Sequence, residues 1–240
     1  FYLKKTWNKF LPAAFGGGIL QINLLVDTIL ASLLGFGSIS FLYFADRIAQ
    51  LPLGIIGIAL GSVLLTSLSK SNASKDKKSF SNDLITSFTI GLFFSIPTAV
   101  VFINFSDLFI RVLFERGEFT SLETIQTSYA LIAYSFGIPA FILLKSCQPA
   151  FFAEGNTKTP LYVGIILLTL NVFLSILFMY YWRHAGIALA TSISSWIGVI
   201  IYLLLLIKGG KILKSGNNQL NKHLSYNSLV VYFFKIFMVS

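Results

Sequence analysis

The chain alternates between long apolar runs and short breaks rich in charge, glycine or proline. Apolar runs fall near residues 10–34, 45–68, 84–105, 124–153, 160–181 and 186–207, and a further one starts at 228. About 20 apolar residues, at about 1.5 Å rise each, cross a hydrocarbon layer about 30 Å thick, so each full run is long enough to span. Membrane strands would show shorter segments of alternating polarity, which these runs are not. Helix-start signals agree with this. Thr120 and Glu123 have capping-box spacing ahead of the fourth run, and Thr159 before Pro160 has the form of an N-cap and first helical residue ahead of the fifth. The pattern predicts an all-α, polytopic transmembrane helix bundle of six spans plus the start of a truncated seventh. The stretch SDLFIRVLFE at 106–115 is too short to cross, and fits either an interfacial helix or a packed connector between the third and fourth spans.

Composition supports lipid as the solvent. Hydrophobic residues make up 55% of the chain and charged ones 11%, against about 25% charged in a soluble domain; mean hydropathy is +0.79. The 24 phenylalanines alone outnumber the 9 acidic residues, more apolar surface than one aqueous globule can hide. Cys147, the one cysteine, excludes an internal disulfide framework and has no metal-site spacing. His184 and His223 lie far apart in or near breaks, and no nucleophile, base and orienting group can be assembled by spacing. No enzyme activity, cofactor or metal is therefore expected. Gly16, Gly17 and Gly18 are not a phosphate loop, since no strand precedes them and no Lys-Ser/Thr follows. The chain starts at Phe1 and is still apolar near its last residue, so it is expected to be an internal piece of a longer membrane protein.

Charge is distributed unevenly between alternate breaks. Lys4, Lys5 and Lys9 precede the first run; Lys70, Lys75, Lys77 and Lys78 follow the second; Lys158 follows the fourth; Lys208, Lys211, Lys214 and Lys222 follow the sixth. The opposite side holds Arg47, Arg111, Arg116 and Arg183, with Asp107, Glu115, Glu118 and Glu123 among them. The positive-inside rule makes the lysine side cytoplasmic. The net charge of +9 then belongs to topology and contact with anionic lipid rather than to nucleic acid.

Polar residues inside the spans carry the candidate chemistry. Between Gly37 and Lys70 the only charges are the neighbours Asp46 and Arg47, and a guanidinium at the centre of a membrane helix costs about 2.5–3.5 kcal/mol on insertion scales. Arg47 and Gln50 share a helix face, followed by Pro52. Asn23 and Asp27, four apart, share a face of the first span and either line a cavity or form interhelical hydrogen bonds. Lys145 lies deep in the fourth span, three residues before Gln148, far from either end. For Arg47 the alternatives to a substrate or coupling role are an ion pair with Asp27 and snorkelling to the interface. Gly54, Gly57 and Gly61 form a smooth stripe on the second span, and Pro12, Pro52, Pro97, Pro139 and Pro149 each remove a backbone donor in or beside a span, as in transporters whose broken helices line cavities.

Several local sequences together resemble the MurJ/MviN family of bacterial lipid II flippases. They are QINLLVDTILASLLG (21–35), ADRIAQLPLGIIGIALGS (45–62), LFERGEFT (113–120), ALIAYSFGIPAF (130–141), NTKTP (156–160) and HAGIALATS (184–192), in matching order. The resemblance implies a MATE-like member of the MOP superfamily in the bacterial cytoplasmic membrane, with two six-helix lobes around a cationic cavity. Lipid II would cross from the cytoplasmic to the periplasmic leaflet by alternating access. This chain would be the second lobe: residues 1–9 a cytoplasmic connector, 10–207 the six-helix lobe, 208–227 a cytoplasmic loop and 228–240 the truncated seventh span. Its partners would be lipid II, membrane lipids and the missing N-terminal lobe. The role of a required cavity arginine carries over to Arg47, with Asp46, Gln50, Asn23, Asp27 and Lys145 as further candidates on the cavity wall. Asn156 stands where the family often has Asp, and Thr66 where it often has Pro. A related polysaccharide-precursor flippase, a multidrug exporter of the same superfamily and a membrane-embedded cell-wall enzyme remain the alternatives.

Overall fold

A computed structural model describes residues 18–19 and 21–212, all of them in helices and their connections. Residues 1–9, Pro12 and the run from 228 lie outside the described residues. The helices are α1 (Gln21–Ser32), α2 (Ser38–Pro52), α3 (Ile58–Ala73), α4 (Lys77–Phe114), α5 (Ser121–Ser135), α6 (Ile138–Phe152) and α7 (Lys158–Lys208). A single π turn, Leu53–Gly57, joins α2 to α3 into one rod, Ser38–Ala73. Among the described residues three helices are long and apolar enough to cross a membrane, or four if the bent pair α5–α6 is one span.

Proline explains two departures from uniform helix. The run expected at 124–153 breaks between α5 and α6 with a bend of 42°. Pro139 has no N–H, and its ring clashes with the carbonyl of the residue four earlier, which is Ser135, the last residue of α5. Pro52 closes α2 in the same way, but there the chain continues as a π turn instead of breaking.

α7 contains the expected fifth and sixth spans as the two legs of a hairpin. Asn171 and Thr191, about 30 Å apart in a straight helix, have side chains 3.0 Å apart. The fold-back is at Arg183, whose backbone leaves the helix at φ 49° and ψ −131°. Gly186 permits it, since a Cβ there would lie 2.4 Å from the Phe178 carbonyl oxygen. In α4, Phe105 breaks helical geometry ahead of the 106–115 stretch, which continues as a short kinked extension. This extension packs Ile110 fully inside while exposing Leu108 and Val112, and Arg111 bridges Asp107 at 3.0 Å and Glu115 at 3.6 Å.

The expected capping box is present, with Thr120 and Glu123 each bonding the other's end of the first turn. That pairing to Thr120 holds the Glu123 carboxyl below the usual glutamate range. The other expected cap is corrected. α7 begins at Lys158, and the Asn156 side chain accepts from the Thr159 N–H at 3.1 Å and donates to its hydroxyl at 2.8 Å. An Asp at 156 could accept the same backbone bond.

Two apolar cores stack along the bundle. One gathers Leu42, Ile48, Phe102, Ile110, Leu131 and Ile187, the other Leu64, Leu84, Phe88, Leu143, Phe151 and Val199. The breaks collect at opposite ends, as the lysine pattern requires. At the lysine end Asn72 donates to the Ala153 carbonyl at 3.2 Å, and Lys211 reaches Glu154 at 2.7 Å. At the other end the His184 ring bonds the Gln126 carbonyl at 2.8 Å.

Candidate functional site

Arg47 projects from the exposed side of α2. Its guanidinium lies 4.6 Å from the centre of the Tyr43 ring, one turn earlier, and forms no salt bridge among the described residues. The expected alternative of an ion pair with Asp27 is therefore not formed. Asp46 accepts a hydrogen bond from the Gln50 amide, one turn on, so its nearest partner is Gln50 and not Arg47. The rod is 36 residues long, about 54 Å at helical rise. Arg47 lies about 13 Å along the helix from its middle, and a hydrocarbon layer about 30 Å thick centred on the rod would reach about 15 Å either way.

Asn23 and Asp27, both on α1, meet groups of α7 rather than an open wall. Asp27 is 8% exposed and Asn171 1%. Asp27 accepts from Asn23 at 3.3 Å and from the Thr191 hydroxyl at 3.4 Å. With the Asn171 amide oriented so that its nitrogen faces acceptors, it donates to Asn23 at 3.0 Å and to Asp27 at 3.1 Å, and its oxygen accepts from Thr191. One cluster thus ties α1 to both legs of α7. Asp27 and Asp46 are within electrostatic reach of each other and of the buried Tyr134.

Lys145 sits half-buried on α6. Its stem covers the glycine stripe: a Cβ on Gly57 would lie 3.5 Å from Lys145 Cγ, and one on Gly61 3.1 Å from its carbonyl oxygen. Gly57 is ten residues beyond Arg47, about 15 Å along the rod. Lys145 therefore joins neither Arg47 nor the Asp27 cluster directly. No group of three His, Cys, Asp or Glu side chains occurs among the described residues in a metal-binding arrangement.

The residues that sequence reasoning missed are Tyr134, Asn171 and Thr191. Asn171 carried a usable signal, since it is the lone amide inside an apolar run. The other two had none, because a phenol or a hydroxyl is ordinary in such helices.

Comparison with known proteins shows what the chain is similar to. A family model described as "Lipid II flippase MurJ" matches residues 2–239. A probable lipid II flippase MurJ of Vibrio cholerae is 37% identical over 80% of this chain and 36% of its own length. One from Buchnera aphidicola subsp. Schizaphis graminum is 36% identical over 99% of this chain and 46% of its own. A solved lipid II flippase MurJ in an inward closed conformation superposes with a TM-score of 0.72 at 36% identity, covering 90% of this chain and 44% of that one. An outward-facing MATE multidrug transporter of the MOP superfamily superposes at 0.73 with 17% identity, which speaks to the fold alone. The chain spans less than half the length of these relatives.

Proposed function

The chain belongs to the MurJ family of lipid II flippases, and from that premise we propose that it forms one wall of a flippase that moves lipid II from the cytoplasmic to the periplasmic leaflet by alternating access. The observation that carries this reading is Arg47, a guanidinium on an exposed helix face with an aromatic ring on one side and no salt bridge among the described residues. A planar fork of this kind matches the oxygens of a diphosphate, the charged link between the headgroup and polyprenyl tail of lipid II. Gln50 extends hydrogen bonding along the same face and leaves Asp46 occupied. Lys145, further along the rod, supplies a second cation for the substrate as it moves. Asn23 and Asp27 act behind this wall as hydrogen-bonding or cation-sensing groups that link α1 to α7. The lysine end is cytoplasmic and the remaining lobe faces Arg47.

The test is lipid II translocation by the full-length protein in proteoliposomes. Arg47→Ala is expected to lose activity by at least tenfold, the loss of about 1.4 kcal/mol or more that one charge-assisted bond represents. Arg47→Lys should fall between, keeping charge without the fork. Full activity of Arg47→Ala would overturn the reading.

A further inference from the structure

At the end of the bundle away from the lysines lies a second feature, unrelated to Arg47. A cavity of about 640 Å³ opens between the α1–α2 turn, the loop before α5 and the hinge of α7. That is within the range of small-molecule sites, about 300–1,000 Å³. Phe36, Phe41, Phe44 and Phe119 give it an aromatic wall, and Arg183 and Glu118 stand among the residues around it. These two carry opposite charge, yet among the described residues they form no salt bridge with each other or with any other group. Glu123, also at the cavity, is already engaged by Thr120.

Two further observations say what sort of ligand this arrangement fits. Tyr180, Tyr181 and Trp182, immediately before Arg183, are 84%, 69% and 55% exposed. Consecutive exposed aromatic residues at the end of a span mark the headgroup level of a bilayer, so the cavity lies where headgroups do. Arg183 is moreover held at φ 49°. A glycine would adopt that backbone with no steric cost, so the guanidinium is what the position gains by strain.

We propose that this cavity is a binding site for a zwitterionic phospholipid with a primary-ammonium headgroup. The phosphate would pair with Arg183, the ammonium with Glu118, and the glycerol and upper acyl carbons would lie against the phenylalanine wall. An anionic lipid lacks the group that Glu118 would receive, and a quaternary ammonium has no N–H to donate to it.

The experiment is native mass spectrometry of the full-length protein from mixed micelles holding equal amounts of phosphatidylethanolamine, phosphatidylcholine and phosphatidylglycerol. Phosphatidylethanolamine should be retained preferentially. Arg183→Gly, which relaxes the backbone instead of straining it, should lower that retention about tenfold. Glu118→Gln should remove the preference for phosphatidylethanolamine over phosphatidylcholine. Free phosphoethanolamine at equal concentration should not displace the lipid. Equal retention of the three lipids, no effect of Arg183→Gly, or displacement by the free headgroup would each overturn the assignment.

Discussion

At Arg47 the energetics are legible before any tertiary contact is known. A guanidinium costs about 2.5–3.5 kcal/mol at the bilayer centre and less towards the edge where Arg47 stands, whereas stacking on an exposed tyrosine returns about 0.5–1 kcal/mol. With no salt bridge to Arg47 among the described residues, what remains of that cost is best met by water and an anionic ligand in a cavity. Asp27 presents the opposite case. Its spacing from Asn23 was visible in the sequence, but its other partner Thr191 lies 164 residues away, and no local pattern reports a contact over that separation. Interhelical hydrogen bonds of this kind contribute about 0.6 kcal/mol on average and up to about 1.7. Asp27→Asn and Asn171→Leu should each lower thermal stability in detergent by about that range. The double variant should cost less than the sum of the two, because both act on one network. Strict additivity would show that the pair does not couple.

Elements were legible to different depths for physical reasons. Runs of apolar residues and the Thr120–Glu123 box announce helices and one helix start locally, which is why helices occupy the described parts of the apolar runs and that cap stands where expected. Breaks inside a span depend on how a proline is accommodated. Pro139 ends α5 whereas Pro52 leads into a π turn, and an apolar run by itself does not report which outcome occurs. The glycine stripe is a packing device: α3 approaches α6 so closely that a Cβ on Gly61 would sit 3.1 Å from the Lys145 backbone. Gly61→Leu is therefore expected to push α3 from α6 and to lower thermal stability by about 1–3 kcal/mol, as overpacking does elsewhere. An unchanged melting temperature would mean that the stripe is not a fitted contact. Thr120→Ala should cost about 1 kcal/mol through loss of the cap. Glu123 contributes through the same box, and its folded-state carboxyl is held low. Its contribution is thus complete at neutral pH and is lost as pH falls below the usual glutamate range.

For the molecule as a whole, the two ends differ in charge far more than the rod between them. Among the described residues the breaks at one end carry Lys70, Lys75, Lys77, Lys78, Lys158, Lys208 and Lys211; the other end has Arg111, Arg116 and Arg183, the first already neutralised by Asp107 and Glu115. Lysine retained beside spans resists translocation, so the lysine end should stay inside and the hinge end should face outward. Single-cysteine labelling of the full-length protein in intact cells can read this directly, because native Cys147 is fully buried and should give little background. Ser121→Cys at the start of α5 is exposed at the hinge end, and Ala73→Cys at the end of α3 is exposed at the lysine end. A membrane-impermeant maleimide should label Ser121→Cys in intact cells and Ala73→Cys only after the membrane is opened. The reverse pattern would invert the topology, and with it the leaflet from which Arg47 would meet the proposed substrate. Labelling of both in intact cells would mean that the bilayer does not separate the two ends.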